Sequence, residues 1–334
     1  MKSKGLLIVA IACLAFGVLT FDAQADGRHP ASCLLFPKYD TGTNHIAVMT
    51  ITNTCDDTVY VRLVWVDRDT CTPEDQWIEL TAGDTFSFLD EAMNPEFDEQ
   101  GFMYAYVVES IGSKIEEDAD CLIGQELMFE MGFPGGNLNW GINAVPFEAL
   151  NLTKDGDLHL DGVEYDCAPY KLYFPRFFGQ GNNAGVQVDS YMVLINLVGG
   201  QHFEQQADVL VYNDNEQAFS STVYFGCWDL LKLEDVSGAT KASNLFSSKH
   251  DPLELWDGNN DPLVQHVKTG WIILESDWVW NPQTSFVKDD PCLYGVLIEK
   301  VGGALSAADL PWQVEDPAVN KYAMLWSTSP WGDL

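Results

Sequence analysis

Leu34-Leu35-Phe36-Pro37-Lys38-Tyr39 returns, with few changes, as Leu172-Tyr173-Phe174-Pro175-Arg176-Phe177. Three more echoes follow in the same order. Met49-Thr50-Ile51-Thr52-Asn53 matches Met192-Val193-Leu194-Ile195-Asn196, and Gly101-Phe102 and Gly270-Trp271 each open an aromatic-rich strand. Asp120-Cys121-Leu122-Ile123-Gly124 matches Asp290-Pro291-Cys292-Leu293-Tyr294-Gly295. Echoes kept in one order point to a folding unit present twice, which constrains architecture more than chemistry.

Between the echoes the chain alternates. In Thr58 to Val66, Val59, Val61, Leu63 and Trp65 point one way while Tyr60 and Arg62 point the other. Thr85-Phe86-Ser87-Phe88, Phe102 to Val108, Asp208 to Tyr212, Thr222 to Phe225 and Trp271 to Leu274 keep the same period. Such alternation marks strands with one buried face. Turns rich in Asp, Asn and Gly separate these runs, giving a strand about every ten residues. Helical signals are short: Ser306 to Leu310 reads as a turn, and Pro95 interrupts Glu91 to Glu99. No strand–helix alternation suggests a parallel nucleotide-binding sheet.

The predicted fold class is therefore all-β, with two tandem, homologous antiparallel β-sandwich domains (Ig-like or jelly-roll-like) after a cleaved signal peptide. The predicted divisions are a signal peptide at 1–25, a first domain at 26–165 and a second at 166–334. The second copy is longer through predicted insertions at 213–227 and 232–261 and a C-terminal extension. Loop insertions are where binding specificity usually sits.

Residues 1–25 read as an export signal. Lys2 and Lys4 precede the apolar run Gly5 to Thr20, and Ala23-Gln24-Ala25 supplies the small-x-small cleavage pattern. The run falls short of the roughly 20 apolar residues a spanning helix needs. No membrane span is predicted, and the expected compartment is periplasmic or extracellular. The chain carries a formal charge of −33; removing Lys2, Lys4 and Asp22, a net of +1, makes it −34. Such a charge repels nucleic acid and anionic membrane surfaces. Because 46 % of residues are hydrophobic and 12 % aromatic, the charge belongs to a solvated surface rather than to disorder.

Seven cysteines lie beyond the signal: Cys33, Cys55, Cys71, Cys121, Cys167, Cys227 and Cys292. No Cys-x-x-Cys spacing supports a zinc ribbon or a thioredoxin-type motif, and scattered cysteines in an exported chain form disulfides. Cys121 and Cys292 are equivalent in the repeat, while Cys71 and Cys227 each follow the second long strand of their copy. Cys71–Cys121 and Cys227–Cys292 are the predicted bridges, with Cys33–Cys55 a weaker third and Cys167 left over.

Catalytic signatures are absent from the sequence. It contains no Gly-x-Ser-x-Gly elbow, His-Glu-x-x-His pair, phosphate-cradling loop or dinucleotide fingerprint. Asp257, Asn259 and Asp261 have the spacing that opens a calcium loop, but Pro262 and Lys268 stand where an EF-hand needs glycine and glutamate. Calcium is thus the one cofactor left open, beside an ordinary Asx-rich turn. Eight of the 11 tryptophans fall in the second copy, and Trp278-Val279-Trp280 sets two indoles on one strand face. Indoles so placed either stack on sugar rings or pack against another sheet. Neighbouring acids such as Asp118 and Asp120 or Asp289 and Asp290 follow from composition and nominate no catalyst.

The resulting expectation is an exported, non-enzymatic structural, adhesive or binding protein. Its partner would be a surface glycan, another exported protein or a second copy of itself. One alternative is a carbohydrate-binding or carbohydrate-active protein using the second-copy tryptophans and carboxylates. A surface-layer or filament subunit is the other.

Overall fold

The computed structural model describes residues 29–94, 100–111, 119–133, 136–150, 158–183, 185–198, 202–213, 216–245, 268–289, 291–303 and 305–315. The signal-peptide reading and the calcium candidate Asp257, Asn259 and Asp261 lie outside these residues. The chain is all-β. Its first half runs β1 (Cys33–Asp40), β2 (His45–Asn53), β3 (Val59–Asp67), β4 (Pro73–Leu80), β5 (Thr85–Leu89), α1 (Asp90–Met93), β6 (Gln100–Val108), β7 (Leu122–Phe133), β8 (Gly136–Asn143) and β9 (Val145–Phe147). The second half runs β10 (Pro169–Phe178), β11 (Gly181–Asn183), β12 (Val186–Asn196), β13 (Glu204–Asn213), β14 (Ala218–Phe225), β15 (Trp228–Lys232), α2 (Leu233–Val236), β16 (Thr269–Asn281), β17 (Phe286–Asp289), β18 (Leu293–Val301), β19 (Leu305–Asp309) and β20 (Trp312–Glu315).

Each half supplies two antiparallel sheets. The first sheet has the order β5-β2-β7-β8 and the second β4-β3-β6-β1-β9. In the third, β11-β12-β18-β19, β15 also pairs with β12; in the fourth, β14-β13-β16-β10-β20, β17 also pairs with β16. Apart from β11 and β17, the strands and pairings of the second half copy those of the first in order.

The echo that opens each half is a shared bulge. The ladder between β1 and β6 slips between Phe36 and Tyr39, which faces Gly101, and that between β10 and β16 slips between Phe174 and Phe177, which faces Gly270. Pro37 and Pro175 fall within these slips, where a missing N–H costs no ladder bond. The bulge lays an aromatic ring over the facing glycine. A Cβ on Gly101 would stand 2.0 Å from the Val66 carbonyl oxygen and 2.9 Å from the Tyr39 ring. On Gly270 it would stand 2.3 Å from the Tyr212 oxygen and 2.9 Å from the Phe177 ring. Gly101→Ala is expected to cost about 3 kcal/mol by overpacking. A urea midpoint unchanged from the parent would contradict this.

The four sheets follow one another face to face, in a propeller-like succession. Between the first two sheets lie Leu34, Phe36, Leu63 and Trp65 against Met49, Ile51, Phe88 and Met128. Between the last two lie Phe174, Val209, Ile272 and Leu274 against Met192, Leu194 and Leu297. The first cluster does not stop at the chain's midpoint. Val193, Ile195, Tyr294, Val296 and Ile298 of the third sheet join Leu35, Val64, Val66, Phe102 and Tyr104 of the second. The two middle sheets are therefore buried on both faces, and β1 has no exposed residue at all. The half-buried pattern expected for Thr58 to Val66 is corrected accordingly: Val64 and Val66, on the nominal solvent side, are fully buried because the second half covers them.

The cysteine pairing also differs from expectation. The disulfides are Cys55–Cys121 and Cys71–Cys227. Cys55 and Cys121 flank the paired ends of β2 and β7, where Asn53 faces Leu122. The second half lacks that bridge because Val198 occupies the place equivalent to Cys55, two residues past the matching asparagine. Cys71 follows β3 whereas Cys227 follows β14, the counterpart of β4; they are not equivalent, and the bond joins the two halves. Cys33, Cys167 and Cys292 are buried outside both bridges, so neither Cys33–Cys55 nor Cys227–Cys292 forms. Burial first, and the nearby Cys167 second, push the Cys292 thiol well up from its usual range.

Two further expectations change. Ser306 to Asp309 is strand β19, paired with β18 through Ile298 and Ala308, rather than a turn. The supposed insertion after Asn213 is β14, which matches β4 and belongs to the repeat.

Candidate binding face

The two terminal sheets differ on their outer faces. On the first sheet, Thr50 and Thr52 face Ser87 and Thr85 across β2 and β5, with hydroxyl pairs at 3.0 and 2.9 Å. Hydroxyl ladders of this kind suit a face left in water. The same face also pairs Val48 with Leu89 and Leu127, and Ile46 with Phe129. The fourth sheet adds a cluster of large aromatic rings to aliphatic side chains. Pairing across its strands brings Tyr212 beside Trp271, and Leu210 beside Ile273, Tyr173 and Trp312. Tyr212 and Trp271 stack with ring centroids 4.4 Å apart and planes 8° from parallel. Trp312 is 73 % exposed, the most exposed of the large hydrophobic residues described.

A polar band crosses the middle of this face. Asp208 pairs with Glu275, and Glu275 with Lys171. Lys171 Nζ lies 2.7 Å from Glu275 Oε2, and this carboxylate raises the lysine pKa. Below the band, Trp278 and Trp280 point the same way because Val279 between them is buried. Their centroids are 6.4 Å apart, and Tyr224 meets Trp278 edge-on at 6.5 Å. Both indoles are half-buried, so each offers part of its surface to solvent. Trp256, Trp326 and Trp331 lie outside the described residues.

Trp312 also stands at the rim of a cleft of about 900 Å³ where the halves meet. Val145–Phe147 lines one side, Leu310 to Glu315 the other, and Asp166 and Cys167 the base. The Asp166 carboxylate accepts the Glu148 amide at 2.9 Å and so anchors the wall of the cleft. Among the neighbouring acids read from the sequence, Asp120 is a structural cap: its Oδ1 accepts from Ser32 N, Ser32 Oγ and Ala149 N. Residues 112–118 and Asp290 lie outside the described residues. Among the described residues, no group of three or more His, Cys, Asp or Glu could hold a metal ion. None of their helices is long and apolar enough to cross a membrane.

A second set of polar groups lies inside the first half. Lys38, at the β1 bulge, bonds to Asp40 at 2.9 Å, and both are buried. Gln100 Nε2 donates to the same Asp40 oxygen at 2.7 Å. Glu126, on β7, accepts the Lys38 amide at 3.4 Å, while Asp90, on α1, accepts Trp65 Nε1 at 2.5 Å. Burial pushes the Asp90 carboxyl up to about 7 and the Glu126 carboxyl up to about 8; Lys38 opposes both shifts. Trp65 and Asn94 bond to the Asp90 carboxyl and oppose its shift, while Glu126 Oε1 has no hydrogen-bond partner among the described residues. Lys38, Asp40, Asp90 and Glu126 line none of the three cavities among the described residues that open near Thr50, Gln180 and Trp312.

No family model and no curated protein matches the chain. A crystal structure of Thermotoga maritima 1070 aligns over 36 % of this chain and 97 % of its own, with 12 % identity and a TM-score of 0.29. Naturally occurring empty particles of cowpea mosaic virus align over 93 % of this chain and 99 % of theirs, with 10 % identity and a TM-score of 0.18. Such low scores carry no argument about fold or function.

The sequence names Trp278 and Trp280, but not the role of Tyr173, Leu210, Tyr212, Ile273 and Trp312 as one face. The signal lay in the repeat. These positions match Leu35, Val64, Val66, Tyr104 and Val145, which are buried in the first copy, and an apolar residue kept at each needs a reason.

Proposed function

We propose that the chain is an exported, non-enzymatic structural, adhesive or binding protein. Two homologous β-sandwich domains, 26–165 and 166–334, form its frame, and the outer face of the fourth sheet is its contact surface. The observation that carries this reading is the outer face of the fourth sheet, where the stacked pair Tyr212 and Trp271 lies beside Leu210, Ile273, Tyr173 and the exposed Trp312. Contiguous apolar patches on a soluble protein mark interaction sites. The two disulfides fit an oxidising compartment, periplasmic or extracellular.

A second reading, binding of neutral carbohydrate, is favoured by the placement of Trp278 and Trp280 beside Tyr224 and below the Asp208–Glu275 band. Indole faces pack on the axial C–H surface of a pyranose, and carboxylates accept its hydroxyls. One experiment tests both readings: retention of the exported chain on cell envelopes and on insoluble polysaccharides, with Trp271→Ala and Trp278→Ala/Trp280→Ala variants. Retention on envelopes should fall at least tenfold with Trp271→Ala, about 1.4 kcal/mol in binding. Retention on polysaccharide that falls with the double variant favours the sugar reading. Undiminished retention by every variant would remove the face from consideration, and release of soluble sugar would overturn the non-enzymatic assignment.

A further inference from the structure

We infer that Cys167 and Cys292 form a third disulfide in the exported chain, tying the entry of β10 to the head of β18. The bond depends on the proposed function only for an oxidising compartment. Its first basis is the side on which Cys292 lies. Along β18 and the residue before it, Cys292, Tyr294, Val296 and Ile298 belong to the core that the second and third sheets share. Leu293 and Leu297 belong to the core on the opposite side. That period of two turns the Cys292 side chain toward the junction of the halves. Cys167 is at the same junction. It lines the cleft there together with Tyr294 and Glu315, and Ala168 beside it is fully buried in the same core as Cys292. Pro169, two residues after Cys167, pairs with Glu315.

The repeat supplies the second basis. Aligning Leu34 with Leu172 sets Ala31 against Pro169, and aligning Cys121 with Cys292 sets Leu122 against Leu293. In the first half Ala31 and Leu122 exchange both backbone bonds, each at 2.9 Å, which brings the entry of β1 onto the head of β7. The approach recurs further along both copies. A Cβ on Gly124 would stand 3.0 Å from Leu34 Cδ1, and one on the equivalent Gly295 would stand 3.6 Å from Leu172 Cδ1. Cys292 is thus the counterpart of a bridged cysteine, and Cys167 stands two residues before the position that meets its strand in the first copy. Val198 removes the partner that Cys55 gives to Cys121, and Cys167 supplies another. Burial and then Cys167 raise the Cys292 thiol pKa, as two neighbouring thiols would, whereas burial alone raises that of Cys33.

Closing the bond takes two electrons and two protons from the pair of thiols. The acceptor is the disulfide of an exported thiol–disulfide exchange protein, which ends as two thiols. Cys167, at the base of the cleft, attacks that disulfide as a thiolate, forms a mixed disulfide and frees the first carrier thiolate. The Cys292 thiolate then attacks the Cys167 sulfur, the bond between them forms, and the second carrier thiolate leaves. A leaving thiol of raised pKa departs slowly, so the finished bond resists exchange. It closes nearly the whole second copy into one covalent loop.

Mapping the exported chain, denatured in excess N-ethylmaleimide without reductant, reads the pairing directly. One labelled thiol is expected, Cys33, in place of the three that two bridges alone would leave. A digest should hold the Cys167 and Cys292 peptides joined in one species that reduction splits. Cys167→Ser should raise the count to two by releasing Cys292, and Cys33→Ser should lower it to none. Label on Cys167 or Cys292 in the parent overturns the inference, as does Cys167 joined to Cys33 or to a second chain. If that label appears while Cys55–Cys121 and Cys71–Cys227 stay joined, the third bond alone fails. If every cysteine is labelled, the oxidising compartment fails with it.

Discussion

Raising the pH from about 4 to about 8 is expected to lower the unfolding free energy by about 3–4 kcal/mol or more. The cause is the buried pair Asp90 and Glu126. Burial raises both carboxyl pKa values, to about 7 and about 8, far above those of the unfolded chain. Between the unfolded and folded values the native state binds more protons than the unfolded state, so stability falls as pH rises. Above the folded values both states are ionised and the curve flattens. A shift of one pKa unit corresponds to about 1.4 kcal/mol, so either group alone supplies an effect of this size. The acidic surface repels itself as pH rises too, and variants separate the two causes. Asp90→Asn and Glu126→Gln should each flatten the pH profile of the urea midpoint and raise stability near about pH 8, whereas surface repulsion would persist in both and fade with salt. Equal slopes in parent and variants would show that the buried pair is not responsible.

Removing the Cys71–Cys227 bond is expected to cost about 4–5 kcal/mol. The bond closes a sequence separation of 156 residues, and cross-links over loops of this order restrict the unfolded chain most. The Cys55–Cys121 bond spans 66 residues and is expected to contribute slightly less. The two should also differ in character. Around Cys227 the halves are held by Trp228 Nε1 donating to the Pro37 carbonyl at 2.8 Å, and by Arg68, which lies over the Trp228 ring and 3.6 Å from Asp229. Cys71→Ser/Cys227→Ser is therefore expected to loosen the contact between halves, and resistance to proteolysis should fall further than in Cys55→Ser/Cys121→Ser. Equal midpoints for parent and double variant would refute the assigned role of the bond.

Much of the architecture was legible in the chain. The repeated Phe-Pro bulge with its facing glycine, the alternating runs and the matching Asn53 and Asn196 all correspond to real, equivalent places in the sheets. What failed was anything that depended on how the copies meet. Val64 and Val66 alternate as if Tyr60 and Arg62 shared a solvent face with them, and no local pattern announces the third sheet above them. The cysteine pairing failed for a related reason. Treating each copy as self-contained assigned its bridges internally, while one bond in fact crosses between the copies. Glu126 was hidden among the acids, although comparison of the copies exposes it. Leu297 occupies its place in the second half, and a carboxyl exchanged for leucine on an inward position points to burial. The aromatic face of the fourth sheet was half legible, because the tryptophans stand out but their aliphatic neighbours do not.

Burying both faces of each middle sheet has a consequence for how the molecule forms and fails. A chain cut between residues 158 and 168 would leave Leu35, Val64, Phe102 and Tyr104 on one piece, and Val193, Ile195, Val296 and Ile298 on the other, facing water. Neither piece would be a soluble module. During synthesis the first copy must wait, with an aggregation-prone sheet uncovered, until the second emerges. Duplication here is expected to yield a single cooperative body with one unfolding transition, because the second and third sheets share one core.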